Sequence, residues 1–218
     1  MTNSTVIVTG EIGSAVYGLP GDRPNIIRSI RIDPINDLLK VNPPPPSCIN
    51  GNTVTVELVD ACRLMIGGNL AYNELLWLDD LAHSWEGELL VEHRHLFLST
   101  QLWWQQRQQI RHHAARIPAN PDSVNRYHIR VCAAETGRLI RQAQHLADQH
   151  RLRIVGDRAD IEFCRALAHV AVTQPDLYQE TVAHHIDRCD QLISASGLAA
   201  TAHASPVDQL IRELRFPR

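Results

Sequence analysis

Gly13-Ser14, with Gly18 four residues on and the β-branched run Val6-Ile7-Val8-Thr9 before it, could do chemistry in this 218-residue chain. Glycine lets backbone N–H groups close on an anion, and a serine hydroxyl adds a donor. A strand feeding this loop therefore reads as a tight turn between strands or as a phosphate cradle. It fits neither G-x-G-x-x-G nor the P-loop, since no Gly-Lys-Ser/Thr follows. A second set is Arg126, His128 and Arg130. Residues four apart share a helix face, so Arg126 and Arg130 could present two guanidinium groups to a phosphate or form a solvated basic face. Carboxylates near the loop are sparse: Asp22 and Asp33 bracket the next strand, and Glu57 closes a later one.

Other constellations point away from chemistry. His93-Arg94-His95, His112-His113 and His184-His185 suggest a metal, but neighbouring helical positions diverge by about 100° and cannot share an ion unaided. No metal site is expected. Of Trp103-Trp104, one ring belongs in a core and the other could stack a base. The five cysteines stand singly, as reduced packing groups do.

The elements that must position these residues follow from periodicity. Val6–Thr9 is a short strand running into glycine-punctuated sequence at Gly10, Gly13, Gly18 and Gly21. Residues 26–32 form a second strand closed by Pro34, and the prolines at 43–46 make 40–51 an exposed connection. Thr53–Glu57 alternates as a third strand. From Leu58 the period turns helical, with a stop at Gly67-Gly68-Asn69. Further helices are expected over 70–77, 92–116, 122–150 with Asp122 or Ser123 as cap, 157–173, 175–194, and after Ser205-Pro206. The fold class is α+β: a small mixed-sheet domain over 1–90, then a helical domain over 91–218.

Hydrophobic residues at 44% and charged residues at 21% are those of a globular protein, and no apolar run approaches a membrane span. The chain reads as cytoplasmic. The net charge of −3 is unevenly spread: residues 94–158 hold 11 arginines against 4 acids, a surplus of +7, after an acidic front. A positive face on the helical half would draw an anion to the cleft between the two parts.

Gly13-Ser14-Ala15-Val16-Tyr17-Gly18, Asp33-Pro34 closing the second strand, the Gly67-Gly68-Asn69 turn and Asn73-Glu74-Leu75-Leu76 resemble the nucleotidyltransferase superfamily with a DNA polymerase beta-like fold, in particular its small bacterial and phage members. The order of elements agrees over nearly the whole chain. In that family a D-x-D pair on the second strand and a third acid on a later strand hold Mg²⁺. Here the pair falls on Pro24 and Ile26, or on Ile26 and Arg28, and the third acid on Asn52. Proline and isoleucine cannot coordinate a metal. The family's helix also turns a Lys, a His and an Arg toward the nucleotide. His128 matches, the Lys position looks like Val124, and the Arg is displaced to Arg130.

The resemblance thus implies a fold that has lost its metal carboxylates, binding a nucleotide or nucleic-acid end, or a protein partner or second copy, through Gly13, Ser14, Tyr17, Gly18, Arg126, His128 and Arg130. No cofactor is required. The alternative is an active enzyme that moves a nucleoside monophosphate with Mg²⁺ and a rearranged acid set of Asp22, Asp33 and Glu57. A third class is a helical interaction module.

Overall fold

Residues 5–12 and 26–32 carry the apolar and β-branched positions that a half-buried antiparallel pair needs, and they form β1 (Thr5–Ile12) and β2 (Ile26–Ile32). The computed structural model describes residues 4–12, 16–19, 26–79, 81–119, 121, 125–154 and 156–216. β1 runs past the expected end at Thr9, through Gly10. A Cβ on Gly10 would stand 2.5 Å from Leu78 and 3.0 Å from Leu75, so this glycine lets a helix approach the sheet and does not open a turn.

β4 (Thr53–Glu57) lies parallel to β2, and β3 (Ser47–Asn50) returns antiparallel along it through the two-residue turn Gly51-Asn52, with Gly51 at φ 58°. β3 falls where a bare connection was expected. All four of its residues are exposed, so no burial pattern marks it; backbone pairing holds it, with Arg31 donating to the Cys48 sulfur at 3.6 Å. With β5 (Ala82–His83) on the far edge, the described residues give a sheet ordered β3-β4-β2-β1-β5. α1 (Ile35–Leu38) is one turn after Pro34.

Glu57 ends β4 and begins α2 (Leu58–Ile66), its carboxylate accepting the Val59 N–H at 2.8 Å. Gly68, at φ 77°, closes α2 where a Cβ would lie 2.8 Å from the Gln101 carbonyl oxygen. Asn69 caps α3 (Leu70–Leu75). The buried Asn73 amide donates to the Met65 and Asn69 carbonyls at 3.1 and 2.9 Å. The Gly-Gly-Asn turn is therefore a rigid joint between two helices.

The helix expected over 92–116 begins later, as α5 (Thr100–Ala114); before it lie α4 (Trp85–Glu92), which was not expected, a 3₁₀ turn at Arg94–Phe97, and extended backbone at Leu98 and Ser99. α6 (Arg126–Gln149), α7 (Arg158–Thr173) and α8 (Pro175–Ala195) follow and pack together; Asp122 and Ser123, expected caps of α6, lie outside the described residues. α9 (Ala204–Arg215) returns to pack on α2 and α4, and α4 itself runs across residue 90. One continuous apolar core extends from Ile7 and Ile30 in the sheet to Leu139 and Ile140 in α6. Cys62, Cys132, Cys164 and Cys189 are buried in it, and burial pushes the Cys62, Cys164 and Cys189 thiols up to about 12. Among the described residues no helix is long and apolar enough to cross a membrane.

Candidate functional site

The Gly18 backbone, at φ 88°, needs glycine, and it turns the preceding Tyr17 into the helical half. Tyr17 is 1% exposed. Its ring lies 5.9 Å from the Arg138 guanidinium and so close to Gly156 that a Cβ there would fall 2.6 Å from it. Burial, then the charges of Asp160 and Cys164, push the phenol well above its ordinary range. Its hydroxyl has no hydrogen-bond partner among the described residues. Tyr17 thus pins the end of the glycine loop to α6 and α7. Gly13 and Ser14, the centre of the expected cradle, lie outside the described residues, as do Asp22, Pro24 and Val124.

At the start of β2 the structure brings together the other positions where the resembling family carries acids. Ile27 N–H donates to the Asn52 carbonyl at 3.0 Å, which sets Ile26 and Arg28 beside Asn52. None is a carboxylate. The half-buried Arg28 lies 5.6 Å from the Tyr72 ring centroid, and its buried Nε has no hydrogen-bond partner among the described residues.

Asp33 and Glu57, the described members of the alternative acid set, are committed elsewhere. Arg31 grips Asp33 through two hydrogen bonds of 2.8 and 3.1 Å and donates to the Pro45 carbonyl at 2.6 Å. Glu57, besides capping α2, pairs with Arg215, whose other nitrogen donates to the Asp33 carbonyl at 3.2 Å. Both carboxylates are buried, at 1% and 3% exposure. Burial alone would raise Asp33, but the Arg31 hydrogen bonds overcome it and hold the carboxyl below its usual range. Among the described residues no group of three or more His, Cys, Asp or Glu could hold a metal ion.

Arg126, His128 and Arg130 occupy the first turns of α6, all exposed, with His128 Nε2 3.5 Å from the Cys132 sulfur. Tyr17 meets α6 farther along, at Arg138, so no contact of the described residues joins the two expected halves of the site. The +7 surplus is also smaller at the surface than composition implies. Arg107 pairs with Asp190, Arg138 with Glu74 and Glu135, and Arg141 and Arg153 with Asp160.

A cavity that sequence reasoning misses opens where α6 ends. Trp77, Arg94, Arg151 and Arg153 line about 420 Å³ there. Its signal is the alternation Arg151-Leu152-Arg153-Ile154, which buries Leu152 and Ile154 and turns both arginines the other way.

Asp160 is fully buried and accepts from Arg141 Nε at 2.7 Å and His145 Nε2 at 3.2 Å. Burial would raise its carboxyl, but these hydrogen bonds hold it below the usual range. His113 and His185 are held below theirs, first by burial, and each has a buried Nδ1 without a partner among the described residues. The signs differ in their pH windows. Below 6.5 the unfolded chain takes up protons that the folded imidazoles refuse, so stability falls as pH drops from there. Below 3.8 the unfolded carboxylates protonate before Asp33 and Asp160 do, and a second loss follows. Urea midpoints measured against pH should show both declines, and the double change His113→Gln and His185→Gln should remove the upper one alone.

Compared with models of known protein families, with curated proteins and with solved structures, the chain matches none.

Proposed function

We propose that this chain is a nucleotidyltransferase-like protein that binds a nucleotide or nucleic-acid end without transferring it, with Arg28 standing where an enzyme would hold a metal-binding carboxylate. The carrying observation is that arginine: partly buried at the head of β2, propped by Tyr72, with an Nε that has no partner among the described residues and no acid at Ile26 or Asn52. A guanidinium is a permanent, weakly hydrated cation that forks onto phosphate oxygens. It neutralises a phosphate as a metal would. It offers no coordination position to an attacking hydroxyl, so it supports binding and leaves the nucleophile unactivated. The pairing of Asp33 and Glu57 with arginines points the same way, because neither is free to replace a lost ligand.

Titration calorimetry with ATP tests this, with and without Mg²⁺. Binding should persist in EDTA, and Arg28→Ala should weaken it about tenfold or more, the worth of a charged hydrogen bond. No nucleotidyl product should form. A metal-dependent product lost on mutating Asp22, Asp33 or Glu57 would make the chain an enzyme. Absence of any nucleotide binding would leave the protein-interaction reading in its place.

A further inference from the structure

We propose that the cleft between Trp77, Arg94 and the segment 151–154 is a binding site for a 5′-phosphorylated nucleoside, separate from Arg28, with Arg151 and Arg94 taking the phosphate and the Arg94–Trp77 layer stacking the base. The site stands on its own geometry and does not need the reading above.

The cleft is built rather than incidental. His150, in the left-handed region at φ 50°, ends α6 and turns the chain into an extended segment. Leu152 and Ile154, at 3% and 7% exposure, anchor that segment and leave Arg151 and Arg153 facing the other way. Opposite them the Arg94 guanidinium lies 4.3 Å from the Trp77 ring centroid and donates to the Leu76 carbonyl at 3.1 Å, so its plane is preset. Gly156 completes the wall, with Tyr17 packed directly behind it.

Charge selects the ligand. The lining holds three arginines and two acids, Asp79 and Asp157. Asp157 is already engaged: it caps α7 through the Asp160 N–H at 2.8 Å and pairs with Arg153 at 3.1 Å. Arg151 has no hydrogen bond or ion pair among the described residues, so its guanidinium is the free cation of the cleft. With Arg153 and Asp157 paired, Arg94 and Arg151 face Asp79 alone, and the remaining charge of +1 draws a phosphomonoester, which carries about −2 near neutral pH. A volume of about 420 Å³ lies within the range of about 300–1,000 Å³ usual for small-ligand sites. Guanidinium planes and indole rings both stack nucleobases, which gives the Arg94–Trp77 layer its use.

The test is calorimetry on the full chain at low salt with AMP, GMP, CMP and UMP, adenosine, inorganic phosphate, and an oligoadenylate with or without a 5′-phosphate. At least one monophosphate or the 5′-phosphorylated oligonucleotide should bind, and the ligand lacking its phosphate should bind about tenfold more weakly or worse. The monophosphates and the oligonucleotide separate a free metabolite from a nucleic-acid end. Measured in the Arg28→Ala background, where only the cleft remains to be read, binding should persist, and adding Arg151→Ala, at an exposed position, or Trp77→Leu should weaken it about tenfold. In that background, binding that survives Arg151→Ala unweakened, or no binding at all, would overturn the proposal. So would the failure of every phosphorylated probe. Loss of ATP binding in Arg28→Ala alone concerns only the site at β2.

Discussion

Arg138→Ala should cost about 3–5 kcal/mol of stability, the usual loss when one partner of a buried ion pair is removed. Arg138 is 6% exposed and joins Glu135 on its own helix, at 2.6 to 3.0 Å, to Glu74 on α3. Glu74 also accepts from Gln142 at 3.0 Å, and Gln142 from Gln106 at 3.0 Å, so α3, α5 and α6 share one buried polar network. Deleting the guanidinium leaves the Glu74 carboxylate buried with a neutral amide as its remaining partner. Against a total stability of about 5–15 kcal/mol this is a large fraction. Guanidinium chloride denaturation would measure it. Arg138→Lys should recover less than half of the loss, since an ammonium cannot fork between two carboxylates. A loss below about 1 kcal/mol, the net worth of an ordinary hydrogen bond, would mean that water already penetrates the network.

Gly87→Ala should lower the melting temperature by about 6–12 °C, for a loss of about 3 kcal/mol in a chain of this size. Sequence alone predicts the reverse. Gly87 lies inside α4, where alanine is favoured over glycine by about 1 kcal/mol. The structure overrides that preference because a Cβ at this position would sit 2.0 Å from the Ile7 carbonyl oxygen and 2.8 Å from the His83 Cβ. Backbone cannot yield as a flexible side chain can, so α4 would have to lift off β1. Gly67→Ala is the control. With φ at −71° and its nearest contact, the Arg63 carbonyl oxygen, at 3.4 Å, it should leave the melting temperature nearly unchanged. A stabilised Gly87→Ala would show that α4 is free to move.

Strong periodicity made much of the fold legible. Thr53–Glu57 alternates and is β4; Asp157 caps α7, and Pro175 opens α8, as their residue types imply. What escaped was set by other forces. β3 is wholly exposed, β5 has two residues, and α4 starts at a serine whose capping role shows only through its contact with Gly87. The candidate site was legible in its parts and not in its assembly. Asp33 and Glu57 look free in sequence, yet Arg31 is a strand neighbour of one, and Arg215, the partner of the other, lies 158 residues away. Trp77 and Arg151 meet only because α6 ends in a left-handed residue at His150, which no pattern foretells.

The position of α9 also governs how the chain is made. Its buried Val207, Leu210 and Leu214 lie on the helix that packs against α2 and α4, and Arg215 closes the Glu57 ion pair from 158 residues away. At about 5–20 residues per second, a ribosome delivers Arg215 about 8–30 s after Glu57. For that interval the nascent sheet and its first helices hold an uncovered apolar surface and an unpaired carboxylate. The amino-terminal half therefore cannot complete its fold as it emerges and must wait, shielded or loosely collapsed, for the last helix to be translated.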